Sequence, residues 1–292
     1  MSDLARINGE TRLIGLFAKP VSHSKSPIIQ NAGFRNKNLN YSFLCFEVDT
    51  HTLEEAVKAA KVLNLQGLSI SMPNKIKIMD YLDEISPEAK MAGAVNTVLN
   101  DNGKLIGFNT DGHGYVNSLI EEGVQVEGKK FTILGAGGAG TAIAMQLALE
   151  GASEISIFNR NDEFLKVAEK NAELINNETK CKANAYLLEE PERLKKEIES
   201  SYCLANATSV GMKELKDLSP IPDSSWLRKD LIVTDAIYNP DKTKLLTQAE
   251  EVGCKTINGL GMLLWQGARQ FEIWTGEEMP IEYVKEQVFA FA

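Results

Sequence analysis

Three glycines in the middle of the chain, Gly135, Gly137 and Gly140, have the spacing of a phosphate-binding loop. The segment before them, Phe131 to Leu134, is short, apolar and β-branched, as buried strands are, and Thr141 to Glu150 repeats apolar residues at helical spacing. In such a unit the first glycine allows a tight turn, the second admits a pyrophosphate and the third lets the helix pack on the strand. The sequence therefore predicts a Rossmann-type dinucleotide-binding domain.

A glycine-rich turn can also be purely conformational, because glycine adopts backbone angles that other residues avoid. Here the next predicted strand, Glu154 to Phe158, completes a β-α-β unit, and that context favours nucleotide binding. The phosphates would lie at the helix N-terminus, where unpaired N–H groups and the helix dipole attract anions. The predicted phosphate-binding residues are Gly135, Ala136, Gly137, Gly138, Ala139 and Gly140.

The composition is that of a soluble globular protein and narrows the range of partners. The 292 residues suffice for two domains, and 43% hydrophobic with 24% charged residues argues against disorder. A net charge of -9 argues against nucleic acid and anionic membranes, so small molecules and other subunits are the expected partners. Met1 to Glu10 lacks the apolar core of a signal peptide, and no apolar run approaches the ~20 residues that span a bilayer. We therefore expect a cytoplasmic protein.

The cysteines and histidines form no local metal-binding or redox motif. The four cysteines are far apart and include no C-x-x-C pair, so we predict reduced, mostly buried thiols. The three histidines are equally scattered, and no metal is predicted. These residues are Cys45, Cys181, Cys203, Cys254, His23, His51 and His113.

The first hundred residues alternate strand and helix, which predicts a mainly parallel sheet covered by helices. Ser26 and Pro27 form a good helix start, with the serine as N-cap and the proline in the first turn. The predicted strands are Leu13 to Ala18, Tyr41 to Val48 and Gly67 to Met72, and the predicted helices are Pro27 to Lys37 and Leu53 to Leu63.

A hairpin follows, and then a helix leads into the glycine loop. Asn100 to Gly103 is a hairpin signal, because Asn-Gly favours the tight turns that join two strands. The predicted elements are strands Val95 to Leu99 and Lys104 to Phe108, helix Gly114 to Glu122, strands Tyr202 to Asn206 and Leu231 to Thr234, and a surface loop, Leu215 to Ser225.

The C-terminal part of the chain predicts two more helices. Apolar residues recur at helical spacing from Met262 to Trp274, and a last helix is predicted over Ile281 to Phe289. We expect these helices to return to the first domain, a connectivity typical of hinge closure around a cleft. The predicted fold is α/β with two domains: a mainly parallel substrate-binding domain, residues 1–113 completed by 263–292, and a doubly wound Rossmann domain, residues 114–262.

Three polar clusters follow predicted strands, where open α/β sheets place their ligands. They are Ser22 to Pro27, Ser71 to Lys75, and Asn96 with Asn109 to Asp111. Together with the glycine loop they resemble the shikimate dehydrogenase family, including its quinate/shikimate branch, along essentially the whole chain. The resembling segments are Ser22 to Pro27, Ser69 to Lys75, Ala92 to Thr97, Phe108 to Gly112, Gly135 to Gly140, Asn206 to Met212, Tyr238 to Pro240 and Gly259 to Gly267.

The resemblance implies an NAD(P)-dependent oxidoreductase that interconverts shikimate and 3-dehydroshikimate, and also quinate and 3-dehydroquinate. It assigns catalysis to the pair Lys75 and Asp111. The implied substrate contacts are Ser22, Ser24, Ser71, Asn96, Thr110, Tyr238 and Gln266. The implied cofactor contacts beyond the glycine loop are Asn159, Arg160, Asp162, Thr208, Gly259 and Met262.

A lysine beside an aspartate suits this chemistry. Oxidising a secondary alcohol releases a proton as the hydride leaves, so a proton acceptor must lie within hydrogen-bond reach. Lys75 can accept that proton or stabilise the alkoxide, and Asp111 would orient the ammonium but also keep it charged, which desolvation opposes. The sequence leaves both roles open. Taken singly, the pair could be a surface salt bridge, and the hydroxyls of Ser22 and Ser24 could be helix caps.

The segment after the second strand of the β-α-β unit carries opposing signals for the adenosine ribose. Arg160 can pair with the 2′-phosphate of NADP, whereas Asp162 can accept the ribose hydroxyls, as in the quinate/shikimate branch. A carboxylate ~4 Å from a phosphate costs on the order of 4 kcal/mol at an effective dielectric of about 20. We therefore predict that NAD is preferred and that NADP is also used.

Two other interpretations explain part of the sequence. A different two-domain NAD(P) dehydrogenase, such as a folate-linked one, accounts for the glycines but not for the paired serines or Tyr238. A ligand-sensing module of the same fold has no need of both Lys75 and Asp111. The preferred acid, the direction of the reaction and the oligomeric state stay open, and an exposed sheet edge in the first domain makes a homodimer possible.

Overall fold

A computed structural model describes residues 7–289 of the chain. Residues 1–6 and 290–292, which the predicted substrate-binding domain includes, lie outside the described residues. The chain divides into two compact units: the first ends at Thr110 and resumes at Gln266, and the second is Asp111–Trp265. The assignment of the substrate to the first unit and of the dinucleotide to the second stays a prediction.

The first unit is built on a six-stranded sheet. Its strands are β1 (Arg12–Ala18), β2 (Tyr41–Glu47), β3 (Gly67–Ile70), β4 (Glu84–Ile85), β5 (Thr97–Asp101) and β6 (Lys104–Phe108). They lie in the order β2-β1-β3-β5-β6-β4. β1 is parallel to β2 and β3, and β4 is parallel to β6, whereas β5 is antiparallel to both of its neighbours. The mainly parallel sheet is confirmed, with an antiparallel hairpin added to it.

The hairpin between β5 and β6 has the predicted turn. Asp101 pairs with Lys104, which leaves Asn102 and Gly103 as the two turn residues. Their φ angles are 53° and 93°, values that asparagine and glycine adopt most readily. β5 begins at Thr97 and not at the expected Val95, because the Val95 N–H donates to the carbonyl of Lys75 instead of joining the sheet.

Helices cover this sheet and enclose its core. They are α1 (Ser26–Asn36), α2 (Leu53–Val62), α3 (Pro87–Ala92) and a short 3-10 helix (Lys77–Tyr81). α3, the 3-10 helix and β4 were not predicted. They are six, five and two residues long, which is too short to show a period. The core between α2 and the sheet includes Leu53, Val57, Leu68, Ile70 and Ile78, each at most 4% exposed.

The predicted cap of α1 is wrong. Ser26 is the first residue of the helix, Lys25 is its N-cap, and no side chain caps the helix from that position. The Oγ of Ser24 accepts a hydrogen bond from the backbone N–H of Ser26 at 3.2 Å. An N-terminal donor of the helix is therefore satisfied from two residues earlier than expected.

The second unit is a doubly wound parallel sheet, as predicted. Its strands are β7 (Lys130–Leu134), β8 (Glu154–Asn159), β9 (Lys182–Leu187), β10 (Cys203–Asn206), β11 (Ile232–Asp235) and β12 (Lys255–Ile257). The strand order is β12-β11-β10-β7-β8-β9, and every pairing is parallel. The chain winds outward from β7 to β9 and then returns to β10 on the other side of β7. That reversal creates the switch point at which such sheets bind nucleotides.

In the second unit one helix leads into β7, and four further helices connect later strands. They are α4 (Asp111–Glu121), α5 (Gly138–Leu149), α6 (Glu163–Glu178), α7 (Pro191–Ser200) and α8 (Lys244–Val252). α4 begins three residues before the expected Gly114, which places Asp111 in the first turn of a helix. The predicted surface loop Leu215 to Ser225 lies between two short 3-10 helices, Lys213–Leu215 and Ser224–Trp226.

The last helices return to the first unit, as predicted. α9 is Gly259–Thr275 and α10 is Ile281–Phe289. The Phe271 ring stacks on Phe34 of α1 at a centroid distance of 5.1 Å, and Trp274 Nε1 donates to the Val98 carbonyl of β5 at 2.9 Å. Among residues 7–289 no helix has the length and apolarity that crossing a membrane requires.

Candidate active site

Four chain segments meet at one edge of the sheet in the first unit. β1, β3 and β6 run in the same direction, so the loops that follow them leave from the same edge. β5 runs the opposite way and begins at that edge. The carboxyl ends of such strands are where α/β sheets bind ligands. The predicted residues at this edge are Ser22, Ser24, Ser71, Lys75, Asn96 and Thr110.

Backbone hydrogen bonds hold the loop after β1 against the loop after β3. The N–H of Ser71 donates to the carbonyl of Phe17 at 3.1 Å, and the N–H of Lys19 donates to the carbonyl of Met72 at 3.1 Å. The loops that carry the serines therefore leave neighbouring strands, β1 and β3, side by side at the same edge of the sheet.

The paired serines differ in their surroundings. Ser22 is exposed, whereas Ser24 is half-buried and bonded to the start of α1. The capping alternative that the sequence left open is thus realised for Ser24. Because a serine hydroxyl has a second lone pair and its own proton, this bond is compatible with a substrate contact. The substrate-binding role of both serines stays a prediction.

Asn96, Thr110 and Gln266 form one buried hydrogen-bonded cluster. Asn96 Nδ2 donates to Thr110 Oγ1 at 2.9 Å, and Asn96 Oδ1 accepts from the Thr110 N–H at 2.9 Å. Thr110 Oγ1 donates to the Gln266 carbonyl at 3.1 Å, and Asn96 Nδ2 lies 3.5 Å from Gln266 Oε1. Three of the predicted substrate contacts therefore belong to one hydrogen-bonded network, although Asn96 and Gln266 are 170 positions apart in the sequence.

The predicted catalytic lysine lies in a loop that its neighbour anchors. Asn74 is fully buried, and its Nδ2 donates to the carbonyls of Val48 at 2.8 Å and Phe17 at 3.3 Å. On the other side the carbonyl of Lys75 accepts from the N–H of Val95 at 2.8 Å. The backbone of Lys75 is therefore held from both sides, while its side chain is partly exposed.

Asp111 opens α4 and is 8% exposed. The first turn of a helix is a favourable position for an acidic residue, because the positive end of the helix dipole lies there. Lys75 belongs to the first unit and Asp111 to the second, and their action as a catalytic pair stays a prediction.

Tyr238 follows β11 in the second unit, in a loop that Asp235 anchors. Asp235 Oδ1 accepts from the N–H of Ile237 at 3.0 Å and from Asn206 Nδ2 at 3.1 Å, and Oδ2 accepts from Thr243 Oγ1 at 2.8 Å. Burial raises the pKa of Asp235 to about 6 and also raises the pKa of Tyr238. Tyr238 is therefore a neutral hydrogen-bonding phenol at physiological pH, which suits the predicted substrate contact.

The glycine loop has open space and uncapped N–H groups, which are compatible with the predicted pyrophosphate contact. Gly135 has a φ of 98°, and a Cβ on Gly140 would lie within van der Waals overlap of the Gly135 carbonyl, so both positions require glycine. A Cβ on Gly137 or Gly138 would meet no atom within 4 Å, so the chain leaves this space open. No side chain caps α5, whose first N–H groups can therefore receive an anion.

In the segment after β8, Asp162 has a structural role, and its predicted contact with the adenosine ribose stays a prediction. Asp162 is the N-cap of α6: its Oδ1 accepts from the Phe164 N–H at 2.9 Å and from Asn159 Nδ2 at 2.8 Å. Its Oδ2 lies 3.7 Å from Arg160, whose side chain is 75% exposed. Asn159 Oδ1 accepts from the Ala136 N–H at 3.0 Å, which links this segment to the glycine loop.

The other predicted cofactor contacts have structural partners of their own. Thr208 follows β10, and its N–H and Oγ1 both bond to Asn206 Oδ1, at 3.1 and 2.7 Å. A Cβ on Gly259 would lie 2.3 Å from the Ala236 carbonyl, so close packing already requires glycine there. Met262 is 9% exposed. Contact of these residues with the cofactor stays a prediction.

Several residues that organise the site were missed from the sequence. Asn74, Asp235 and Gln270 are buried polar residues whose partners lie far away in sequence, and no local pattern marks them. The cap at Asp162 had a signal, because an aspartate before a helical apolar pattern is a common N-cap.

Family models and known proteins give the site its context. The model of the shikimate dehydrogenase substrate binding domain matches residues 16–98, and the model of the shikimate 5'-dehydrogenase C-terminal domain matches residues 259–289. A shikimate dehydrogenase (NADP(+)) of Listeria monocytogenes serotype 4b (strain F2365) is 52% identical over 284 residues, which is 97% of this chain and 98% of the relative.

Solved structures agree with these matches. The crystal structure of shikimate 5-dehydrogenase from Listeria monocytogenes in complex with shikimate and NAD is 53% identical, covers 96% of this chain and 97% of its own, and superposes with a TM-score of 0.93. Quinate dehydrogenase from Corynebacterium glutamicum in complex with NAD is 27% identical, covers 96% and 99%, and has a TM-score of 0.85. The chain therefore belongs to the shikimate dehydrogenase family of NAD(P)-dependent oxidoreductases.

Proposed function

We propose that this enzyme interconverts shikimate and 3-dehydroshikimate by hydride transfer with NAD(P). The Asn96, Thr110 and Gln266 cluster is the observation that carries the proposal, because it presents amides and a hydroxyl at the ligand-binding edge of the first unit. A polyhydroxylated ring requires such neutral hydrogen-bonding groups. The family and the open glycine loop of the second unit support the cofactor.

The chain supplies the proton chemistry of this reaction. A dinucleotide held at the glycine loop, Gly135 to Gly140, would supply the acceptor for the hydride from the carbon that carries the reacting hydroxyl. The Lys75 and Asp111 pair takes up the hydroxyl proton as the carbonyl forms, and returns it in the reverse direction. The hydroxyls of Ser22 and Ser24, with the Tyr238 phenol, bind the ring carboxylate through neutral donors. Asn96 and Gln266 orient the ring hydroxyls.

Quinate is the second acid that we propose as a substrate. It differs from shikimate in the ring, where it carries an added hydroxyl, and it has the same carboxylate and the same reacting alcohol. A quinate dehydrogenase shares the fold of this chain along its length. The contacts proposed for the carboxylate and for the reacting hydroxyl apply unchanged to both acids.

An initial-rate matrix tests the proposal. Shikimate and quinate are each assayed with NADP and with NAD, and the reduced nicotinamide is followed by its absorbance. Turnover of shikimate supports the proposed reaction, and turnover of quinate supports the dual substrate range. Folded protein that binds the dinucleotide but turns over neither acid would favour the sensing module instead.

For the cofactor we propose that both dinucleotides are used and that Arg160 favours the 2′-phosphate of NADP. The predicted NAD preference depended on Asp162 as a ribose acceptor, but one oxygen of that carboxylate already accepts two hydrogen bonds as a helix cap. The exposed guanidinium of Arg160 is a suitable partner for a phosphate. The NADP and NAD columns of the rate matrix decide between the two preferences.

For the assembly we propose a homodimer through β2, the edge strand of the first unit. Leu44 and Phe46 on this strand are 50% and 37% exposed. The edge is partly protected, because the Asn31 side chain bonds both the N–H and the carbonyl of Phe43. Light scattering should give the mass of two chains, and Leu44→Lys should give the mass of one; a monomeric wild type would overturn this proposal.

We also propose a cytoplasmic location. The four cysteines are free thiols, three of them buried, and this state is typical of proteins in reducing compartments. Fractionation of the native host cells, followed by immunodetection, checks the location.

A further inference from the structure

A second glutamine lies one helical turn beyond the predicted substrate contact Gln266. Gln270 is on α9 in the first unit and is 1% exposed. Residues four apart lie on the same face of a helix, so Gln270 continues the row that Gln266 begins. We predict no contact of Gln270 with the substrate or the cofactor.

The amide of Gln270 bonds to the backbone and side chains of β3 and β5. Its Nε2 lies 3.0 Å from Thr97 Oγ1, 3.1 Å from the Asn96 carbonyl and 3.3 Å from Ser69 Oγ. A carbonyl can only accept, so the contact with Asn96 identifies this end of the amide as the donor. Thr97 Oγ1 therefore accepts from Gln270.

The hydrogen bond from Gln270 determines which way the Thr97 hydroxyl donates, and its acceptor is Asn96. Having accepted from Gln270, Thr97 Oγ1 donates its own proton to Asn96 Oδ1 at 2.7 Å. Asn96 Oδ1 also accepts from the Thr110 N–H at 2.9 Å. Two donors on this oxygen determine the orientation of the Asn96 amide, and its Nδ2 is turned toward Thr110 Oγ1 and Gln266 Oε1.

The buried hydrogen bonds favour one of the two orientations of the Asn96 amide. Thr97 is fully buried and Asn96 is 2% exposed, so a flipped amide would face the Thr110 N–H with its own N–H groups and leave donors without acceptors. Such a mismatch in a buried site is unfavourable, because the desolvated donors have no acceptors, and it favours the observed orientation.

We propose that Gln270 and Thr97 are positioning residues that hold the Asn96 amide in one orientation, with its Nδ2 toward Thr110 and Gln266, the other amide and hydroxyl of the proposed substrate site. This inference rests on the proposed function, in which Asn96 contacts a ring hydroxyl of shikimate. Neither positioning residue touches the substrate. Their effect is to remove the cost of orienting Asn96 when the substrate binds, so they lower the Kd for shikimate and leave dinucleotide binding unchanged.

The test is a double-mutant cycle with Thr97→Val and Gln270→Leu. For each protein, calorimetry gives the Kd for shikimate, steady-state kinetics give the KM for shikimate and for NADP, and thermal unfolding gives Tm. Each single variant should raise the Kd and the KM for shikimate about fivefold, the effect of losing one hydrogen bond. The KM for NADP should not change. The double variant should resemble the single variants, because both changes break one relay.

Two further variants separate positioning from general destabilisation. Thr97→Ser keeps the hydroxyl and should restore wild-type shikimate binding. Thr132→Val removes an equally buried strand hydroxyl, bonded to Ser201 at 2.7 Å in the second unit. It should lower Tm without changing the Kd for shikimate. If Gln270→Leu does not fold, the comparison of Thr97→Val with Thr97→Ser carries the test.

Three outcomes overturn the inference: an unchanged Kd for shikimate in Thr97→Val, equal changes in the KM for shikimate and NADP, or single effects that multiply in the double variant. A wild type that binds shikimate without turning it over would overturn the proposed function and leave this test in place. A wild type that does not bind shikimate would overturn both.

Discussion

Lys75 depends on its neighbour Asn74 for its position. The buried Asn74 amide bonds to the carbonyls that end β1 and follow β2, so the loop leaves the sheet in one conformation. Because this backbone is already held, ordering the lysine side chain costs little further backbone entropy. The catalytic assignment of Lys75 can therefore be tested by changing the side chain alone.

We expect Lys75→Met to lower kcat by about 10²- to 10⁴-fold, the usual contribution of a general acid or base, and to leave the KM for NADP unchanged. Steady-state kinetics with shikimate measure this. Lys77→Met is the matched control, because Lys77 is exposed and pairs with Asp80 at 2.8 Å in the adjoining 3-10 helix. An unchanged kcat in Lys75→Met would exclude the proposed proton transfer.

Asp162 combines a structural and an electrostatic effect. Asp162→Ala removes the N-cap of α6 and should lower the free energy of unfolding by about 1 kcal/mol, whereas Asp162→Asn keeps a capping oxygen and should not. Both variants remove the carboxylate 3.7 Å from Arg160 and should raise kcat/KM for NADP relative to NAD. Chemical denaturation and the rate ratio check the two effects. Equal stability of Asp162→Ala and wild type would contradict the capping role.

Within the strand, glycine loop and helix of the second unit, packing requires one glycine, and the proposed dinucleotide binding depends on another. Gly140 is required by packing, since any Cβ there would overlap the backbone of Gly135. Gly138 has open space around its Cα and a helical conformation. The two positions therefore separate the stability of the turn from its affinity for phosphate.

Gly140→Ala should destabilise the second unit by about 1–3 kcal/mol, the cost of overpacking a tight contact, and should abolish saturable dinucleotide binding. Gly138→Ala should keep the wild-type Tm, because alanine is favourable in a helix, but should weaken NADP binding by filling the space that a pyrophosphate needs. Thermal unfolding and fluorescence titration with NADPH measure both. Unimpaired binding in Gly138→Ala would place the phosphates elsewhere.

At the scale of the whole molecule, one buried carboxylate links pH to stability. Asp235 is 2% exposed, and burial is the main cause that raises its pKa to about 6, against the opposing effect of its hydrogen bonds. A folded-state pKa above the unfolded value means that the native protein binds the proton more tightly. The ionised Asp235 therefore costs stability above pH 6, and this cost disappears as the pH falls from about 6 to about 4.

Asp235→Asn should remove this pH dependence, because the amide keeps an acceptor for the Ile237 N–H and carries no charge. A pKa raised from 3.8 to about 6 means that the free energy of unfolding is about 3 kcal/mol lower when Asp235 is ionised than when it is protonated. Denaturant unfolding at pH 4.5 and pH 7.5 in both proteins measures the difference. Groups unaffected by the substitution, such as Asp49 with its pKa lowered to about 2 by Lys19, contribute equally to both. Parallel pH profiles would contradict the prediction.

Periodic patterns and turn signals located only part of the regular structure, since α6, α7, α8, β9 and β12 were not predicted. The glycine loop, the Asn102-Gly103 turn and the final helix over Ile281–Phe289 were predicted correctly, because each depends on residues close together in sequence. β4 and α3 were missed because two-residue strands and six-residue helices carry too few residues to show a period. The early start of α4 was missed because Asp111 to Gly114 contains two glycines, which favour loops.

The amino-acid sequence was sufficient to predict the fold class, the glycine-rich loop and the types of side chain at the candidate site, since these follow from local conformational preferences and from composition. Tertiary packing, in contrast, set the partners of particular polar residues. It made Asp162 a helix cap, and it joined Asn96 to Gln266 across 170 positions and to Gln270 across 174. The physical reason is that a hydrogen bond depends on distance and direction in space, and a buried amide accepts whichever partner the packed sheet and helices bring to it.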